Sequence, residues 1–116
     1  MKFEDLQKLT LDWAKDKKLL DIRNVDKQFM KFIEEAFEFK TEMDTRDLRW
    51  FLGESEDDIY DDIKLEMGDI FVTLIILCEQ IGIDPVECLD MAYKKISKRT
   101  GKTINGTFVK EEDYEI

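Results

Sequence analysis

The sequence predicts an all-α fold, four-helix-bundle-like, with a short C-terminal β-hairpin tail. Three observations carry that expectation. One proline and five glycines in 116 residues leave few places for the chain to turn. Apolar residues recur at intervals of three and four through most of the chain, the spacing that lines one face of a helix. Only residues 102–110 change period, around Asn105-Gly106, the dipeptide of a type I′ turn.

Each element follows from its own residues. Phe3, Leu6, Leu9 and Trp13 form an apolar stripe, and Lys15, Lys17 and Lys18 follow it where a helix C-terminus favours cations. A first helix over about 2–17 results. Val25, Phe29, Phe32, Ile33, Ala36, Phe37 and Met43 set a second helix over about 25–42, with Asn24 or Asp26 as its cap. Residues 43–57 break the pattern, so DTRDLRWFL is expected to hold only one or two short turns before Gly53. Ser55 and Asp58 then make a capping box ahead of the run Ile59 to Ile81, a third and longest helix over about 56–81 that Gly82 ends. Asp84, Pro85 and Glu87 start a fourth helix over about 85–100, stopped by Gly101. Two strands flank the Asn105-Gly106 turn within about 102–110. A lone hairpin is marginal in water, so this one is expected to pack on the helices or on a neighbouring subunit. No repeat and no linker divides the chain, which reads as one domain over 1–116.

Composition excludes several functions. Against 18 Lys and Arg stand 28 Asp and Glu, a formal net charge of −10 that repels nucleic-acid polymers and anionic membranes. Cys78 and Cys88 are too few for a disulfide framework and sit among apolar residues, which suits a reducing, cytoplasmic setting. The N-terminal residues carry acids where a signal peptide needs an apolar run, and the longest apolar stretch, Ile70 to Cys78, is half a membrane span. There is no histidine. Serine-histidine triads, common zinc sites and Glu-x-x-His di-iron bundles are therefore excluded, and catalysis would rest on carboxylates, lysines, hydroxyls or a hard metal ion.

On a helical wheel the third helix has a main apolar arc of Ile59, Ile63, Met67, Ile70, Phe71, Leu74, Leu77, Cys78 and Ile81, and a second edge of Leu65, Val72 and Ile76. Between them runs a polar stripe, Asp62, Glu66, Asp69 and Thr73. Carboxylates flanked by apolar residues need a cation, since an ionised carboxylate buried alone is strongly unfavourable. A Lys or Arg of a neighbouring helix meets that need as well as a metal does. The second helix carries Glu34, Glu35, Glu38 and Glu42, which alone would read as a solvated face. Glu35/Glu38 and Glu66/Asp69 are both i, i+3 pairs, however, and two facing antiparallel helices would converge these four carboxylates. An all-oxygen cluster suits Mg²⁺ or Mn²⁺. In the segment KKISKRTGK (94–102), Lys95 and Arg99 lie one turn apart beside Ala92 and Ile96, while Lys94 and Lys98 point outward. These cations complement a helix C-terminus or form a phosphate-binding strip.

EEAFE (34–38) followed by EMGD (66–69) resembles the EExxE...ExxD signature of the all-α, MazG-like nucleoside triphosphate pyrophosphohydrolases. Trp13-Ala14, FMKFIEE, GDIFVTLIIL, AYKKISKRTGK and NGTFVKEED extend the likeness over nearly the whole chain, toward the short stand-alone members. The resemblance implies Mg²⁺-dependent hydrolysis of a nucleoside triphosphate to monophosphate and diphosphate, in a homodimer or homotetramer. It implies Glu35, Glu38, Glu66 and Asp69 as metal ligands, with Mn²⁺ a possible substitute, and Glu34 as a catalytic partner that orients them or helps to activate water. Lys95 and Arg99 would meet the phosphates, and Trp13 and Lys31 would also contact substrate. From its stripe alone Trp13 reads as core rather than as a base-stacking surface. The long 43–57 connection, with Trp50 and Phe51, departs from the family pattern, and Trp50 is a candidate for an interface or lid. The acid-rich segment 53–62 lacks the spacing of an EF-hand loop. Two rival readings are a non-catalytic acidic helical module that binds a protein partner, and a nucleotide-binding relative without turnover.

Overall fold

In a computed structural model, which describes residues 1–114, the chain forms four α-helices and one hairpin: α1 (Phe3–Asp16), α2 (Val25–Phe51), α3 (Glu56–Ile81), α4 (Pro85–Ile96), β1 (Gly101–Ile104) and β2 (Thr107–Lys110). Short 3-10 turns occupy Ile22–Asn24 and Glu111–Asp113. The chain divides at Asp84/Pro85 into two compact units, although no linker marks the boundary. The first holds α1, α2 and α3, and the second holds α4 and the hairpin.

The start of α3 follows its sequence signals closely. The Ser55 hydroxyl accepts the Asp58 N–H at 3.1 Å, satisfying one of the free amides of the first turn. Gly82 ends the helix in the left-handed region at φ 75°, a conformation that favours glycine. In the second unit Asn105 and Gly106 both take positive φ, 51° and 80°, as a type I′ turn requires. They pair Ile104 with Thr107 and Thr103 with Phe108.

The sequence expectation fails first at residue 43. Helix α2 continues unbroken to Phe51, so the expected break over 43–57 shrinks to the turn 52–55. No Gly or Pro interrupts the chain before Gly53, and Arg49 fixes the extension. Its guanidinium reaches Glu42 on α2, Glu54 in the turn and Asp62 on α3, each at 2.7 Å. Helices α2 and α3 thus form a long antiparallel hairpin, with α1 packed on α3.

Both helices face each other along a seven-residue repeat. On α2 it comprises Gln28, Glu35, Glu42 and Arg49; on α3 it comprises Ile59, Glu66, Thr73 and Gln80. Ile59, Thr73, Ile76 and Gln80 are buried on α3, and Glu35 on α2. The polar stripe therefore faces α2. Much of the apolar surface expected to flank it remains open instead, with Leu65, Met67, Phe71 and Ile81 all exposed.

The fourth helix is shorter than expected, ending at Ile96 rather than near residue 100. Thr100 is taken by the hairpin end. Its carbonyl accepts the Glu111 N–H at 2.9 Å, and its hydroxyl donates to Glu111 Oε2 at 2.7 Å. Arg99 consequently lies off the helix, and the expected one-turn relation of Lys95 to Arg99 on a single face does not form. Within the hairpin, Gly101 is required by close approach: a Cβ there would collide with the Val109 carbonyl and the Phe108 ring.

Candidate metal centre

Opposite i, i+3 positions on α2 and α3 bring Glu35, Glu38 and Glu66 together. One carboxylate oxygen from each lies within 4.8 Å of the others. A hard divalent cation binds oxygens at about 2.0–2.6 Å, so its ligands stand roughly 3–5 Å apart, a spacing that this cluster meets. Glu35 is buried at 7% exposure, and its Oε2 has no hydrogen-bond partner. Glu66 Oε2 is also buried and without a partner. A buried, unsatisfied carboxylate oxygen is costly, and both of these belong to residues of the cluster, which a cation would compensate.

Compensation along the polar stripe is uneven. Asp62, at one end, belongs to the Arg49 network. Among the described residues Glu38 and Glu66 form no ion pair, and Lys31 alone reaches the cluster, with Nζ 3.2 Å from Glu35 Oε1 and 3.5 Å from Glu34. One ammonium serves three carboxylates. The Glu38 carboxyl is raised above the ordinary glutamate value because it shares a hydrogen bond with Glu35 and is repelled by it. Burial pushes Glu66 up, with the charges of Asp69 and Glu35 adding to the effect. Glu35 holds Lys31 above the usual lysine value.

The remaining expected residues fall in different places. Asp69 is exposed and stands outside the three-oxygen set, because the helix turns it toward the neighbouring cavity, which it lines with Glu35. Glu34 lies on the open outer side, where it borders a depression with Glu38, Glu42 and Glu66. Trp13 is not core: it is 51% exposed and forms part of the cavity wall. Trp50 is exposed near the end of α2. Lys95 and Arg99 are exposed in the second unit.

The cavity beside the cluster has a volume of about 550 Å³ and is walled by α1, α2, α3 and the Leu19–Asn24 link. Thr73 is buried in it, its hydroxyl donating to the Ile70 carbonyl at 2.7 Å and its own carbonyl accepting Gln28 Nε2 at 3.3 Å. Lys27, Gln28 and Gln80 also line the cavity, and the residue-by-residue sequence reading missed them. A signal was available: Gln28 lies one heptad before Glu35, and Gln80 lies two heptads after Glu66. No family model matches this chain, and no curated protein or solved structure matches it either. The site is therefore interpreted from its own chemistry.

Proposed function

We propose that this protein is a Mg²⁺-dependent nucleoside triphosphate pyrophosphohydrolase of the MazG-like type, converting (d)NTP and water to (d)NMP and diphosphate. The observation that carries the reading is the pair of buried, unpartnered oxygens on Glu35 and Glu66, gathered with Glu38 against a single lysine. A salt-bridge module would bring a cation into contact with each of its carboxylates, as Arg49 does by pairing directly with Glu42, Glu54 and Asp62. The cluster has no such complement among the described residues.

Glu35, Glu38 and Glu66 would hold Mg²⁺, or Mn²⁺ in its place, with Asp69 at the cavity edge. The bound ion would lower the pKa of coordinated water and offset charge on the phosphates. The chain's own residues do the rest. Lys27 and Lys31, one turn apart on α2 at the cavity wall, offer charge to phosphate oxygens. Glu34 borders the open side of the cluster, where it can orient water. Trp13 presents an indole face to a base. Lys95 and Arg99 are retained as further phosphate-binding candidates.

We extend the proposal to a homodimer or homotetramer acting in the cytoplasm on nucleotide pools. Phe37 at 69% exposure, Leu65 at 68% and Phe71 at 52% leave apolar surface that a second copy would cover. Among the described residues no helix is long and apolar enough to cross a membrane, and Cys78 and Cys88 form no disulfide. A panel of NTPs and dNTPs incubated with Mg²⁺ tests the activity. Diphosphate and monophosphate are the expected products, whereas orthophosphate release or no turnover across the panel would defeat the reading.

A further inference from the structure

The cavity has two chemically different ends. Glu35 and Asp69 close one, while Asn24 on the α2 side and Gln80 on the α3 side lie toward the other. Eleven residues of helix separate the ends on α3, about 16 Å at 1.5 Å per residue. Gln80 is 5% exposed. Its Nε2 donates to the Leu19 carbonyl at 2.8 Å, so the side-chain amide cannot flip without setting two oxygens against each other. The amide orientation is thereby locked, and Oε1 is left buried with no partner. Gln80 stands outside the carboxylate cluster, so a cation held there would leave this third orphan acceptor unsatisfied.

We infer that Gln80 is a specificity residue, its locked Oε1 selecting a nucleobase that presents an exocyclic amino group over one that presents a keto oxygen at the same place. The inference rests on the nucleotide reading above and names the base chemistry that the site accepts. An amino group would donate to Oε1 and satisfy it. A keto oxygen would set acceptor against acceptor inside the protein and leave both unpaired, and sites built around one hydrogen bond discriminate strongly for that reason. Trp13 of α1, which also lines the cavity, offers a flat apolar surface to the ring. Cytosine and adenine carry the favoured group, and uracil and hypoxanthine carry the disfavoured one.

The test needs neither metal nor turnover. A Trp50→Phe variant leaves Trp13 as the only indole, and its fluorescence can be titrated with CMP against UMP and with AMP against IMP. The amino-bearing member of each pair should bind at least about tenfold tighter, and Gln80→Met should bring the two within about twofold. Equal binding in the parent, no binding of any of the four, or a preference that survives Gln80→Met would overturn the inference. Should Gln80→Met fail to fold, the comparison within the parent still decides. Mg²⁺-dependent diphosphate release without base preference would sink this inference alone, whereas base preference without hydrolysis would sink the hydrolase reading alone.

Discussion

Lys31 and Glu35 stand one turn apart on α2, with Nζ 3.2 Å from Oε1, and the second oxygen of that buried carboxylate has no partner. The ammonium offsets one of the three charges in a site that also holds Glu38 and Glu66. The metal-free protein thus stores like-charge repulsion that a divalent cation would relieve, and several expectations follow from that single imbalance.

Replacing Lys31 by methionine removes the one cation among the described residues that reaches the cluster. The metal-free variant should melt below the wild type, because Glu35 is left buried and uncompensated. Added Mg²⁺ should then raise the melting temperature by more than it does in the wild type, since ligands of the native state stabilise by mass action. Differential scanning fluorimetry with and without Mg²⁺ checks this, and equal shifts in both proteins would count against it.

Neutralising a ligand has the opposite sign. Glu38→Gln and Glu66→Gln should leave the metal-free fold as stable or more stable, while lowering turnover by roughly two orders of magnitude or more through loss of charge stabilisation at the phosphates. Melting curves read beside steady-state rates test both halves. Variants that unfold without any Mg²⁺ response in the wild type would favour a purely structural cluster.

The pH dependence has a definite sign. Glu38 and Glu66 are held above the ordinary glutamate value of 4.5, Glu38 by its hydrogen bond to Glu35 and Glu66 chiefly by burial. A carboxyl raised in the fold destabilises it when ionised, and that cost disappears as pH falls through the folded value toward 4.5. The metal-free melting temperature should therefore rise as pH is lowered from about 7 to about 5. Groups held low do not oppose the trend in that window: Arg23 holds Asp21 at about 2, and Arg49 holds Glu54 below its usual value, so both stay ionised. Thermal melts across this range, in wild type and Glu66→Gln, measure it. A slope unchanged by the substitution would exclude the cluster as its source.

How far the sequence reaches is clear from particular residues. Ser55, Gly82 and Asn105-Gly106 act through neighbours a few positions away, so α3 and the hairpin turn were legible from local spacing. The convergence of Glu35, Glu38 and Glu66 was legible too, because two i, i+3 pairs on facing helices meet wherever the register brings them level. The extension of α2 was not, since Arg49 owes its hold to Glu54 and Asp62, which lie in the following turn and on another helix. Arg99 left the helix for a similar reason, the claim of Glu111 on Thr100. A wheel gives angle but not depth: it aligned Asp69 with Glu66, yet only Glu66 joins the three-oxygen set, and it placed Trp13 in a core that the chain does not build there.

Gly101 offers a check on the second unit. A methyl group at this position would meet the Val109 carbonyl and the Phe108 ring, so Gly101→Ala should disrupt the pairing of β1 with β2 while α3 is unaffected. Amide exchange or chemical shifts of residues 101–110 report it, and an unperturbed hairpin would contradict the packing described.

The central claim is that Glu35, Glu38 and Glu66 form a divalent cation site. Titration of the metal-free protein with Mn²⁺, with the free ion followed by electron paramagnetic resonance, tests it most directly. The account predicts saturable binding that Glu66→Gln and Glu38→Gln weaken by about tenfold or more and that Asp61→Asn, a surface acid on α3, leaves intact. Absence of saturable binding, or equal binding by wild type and Glu66→Gln, would contradict it.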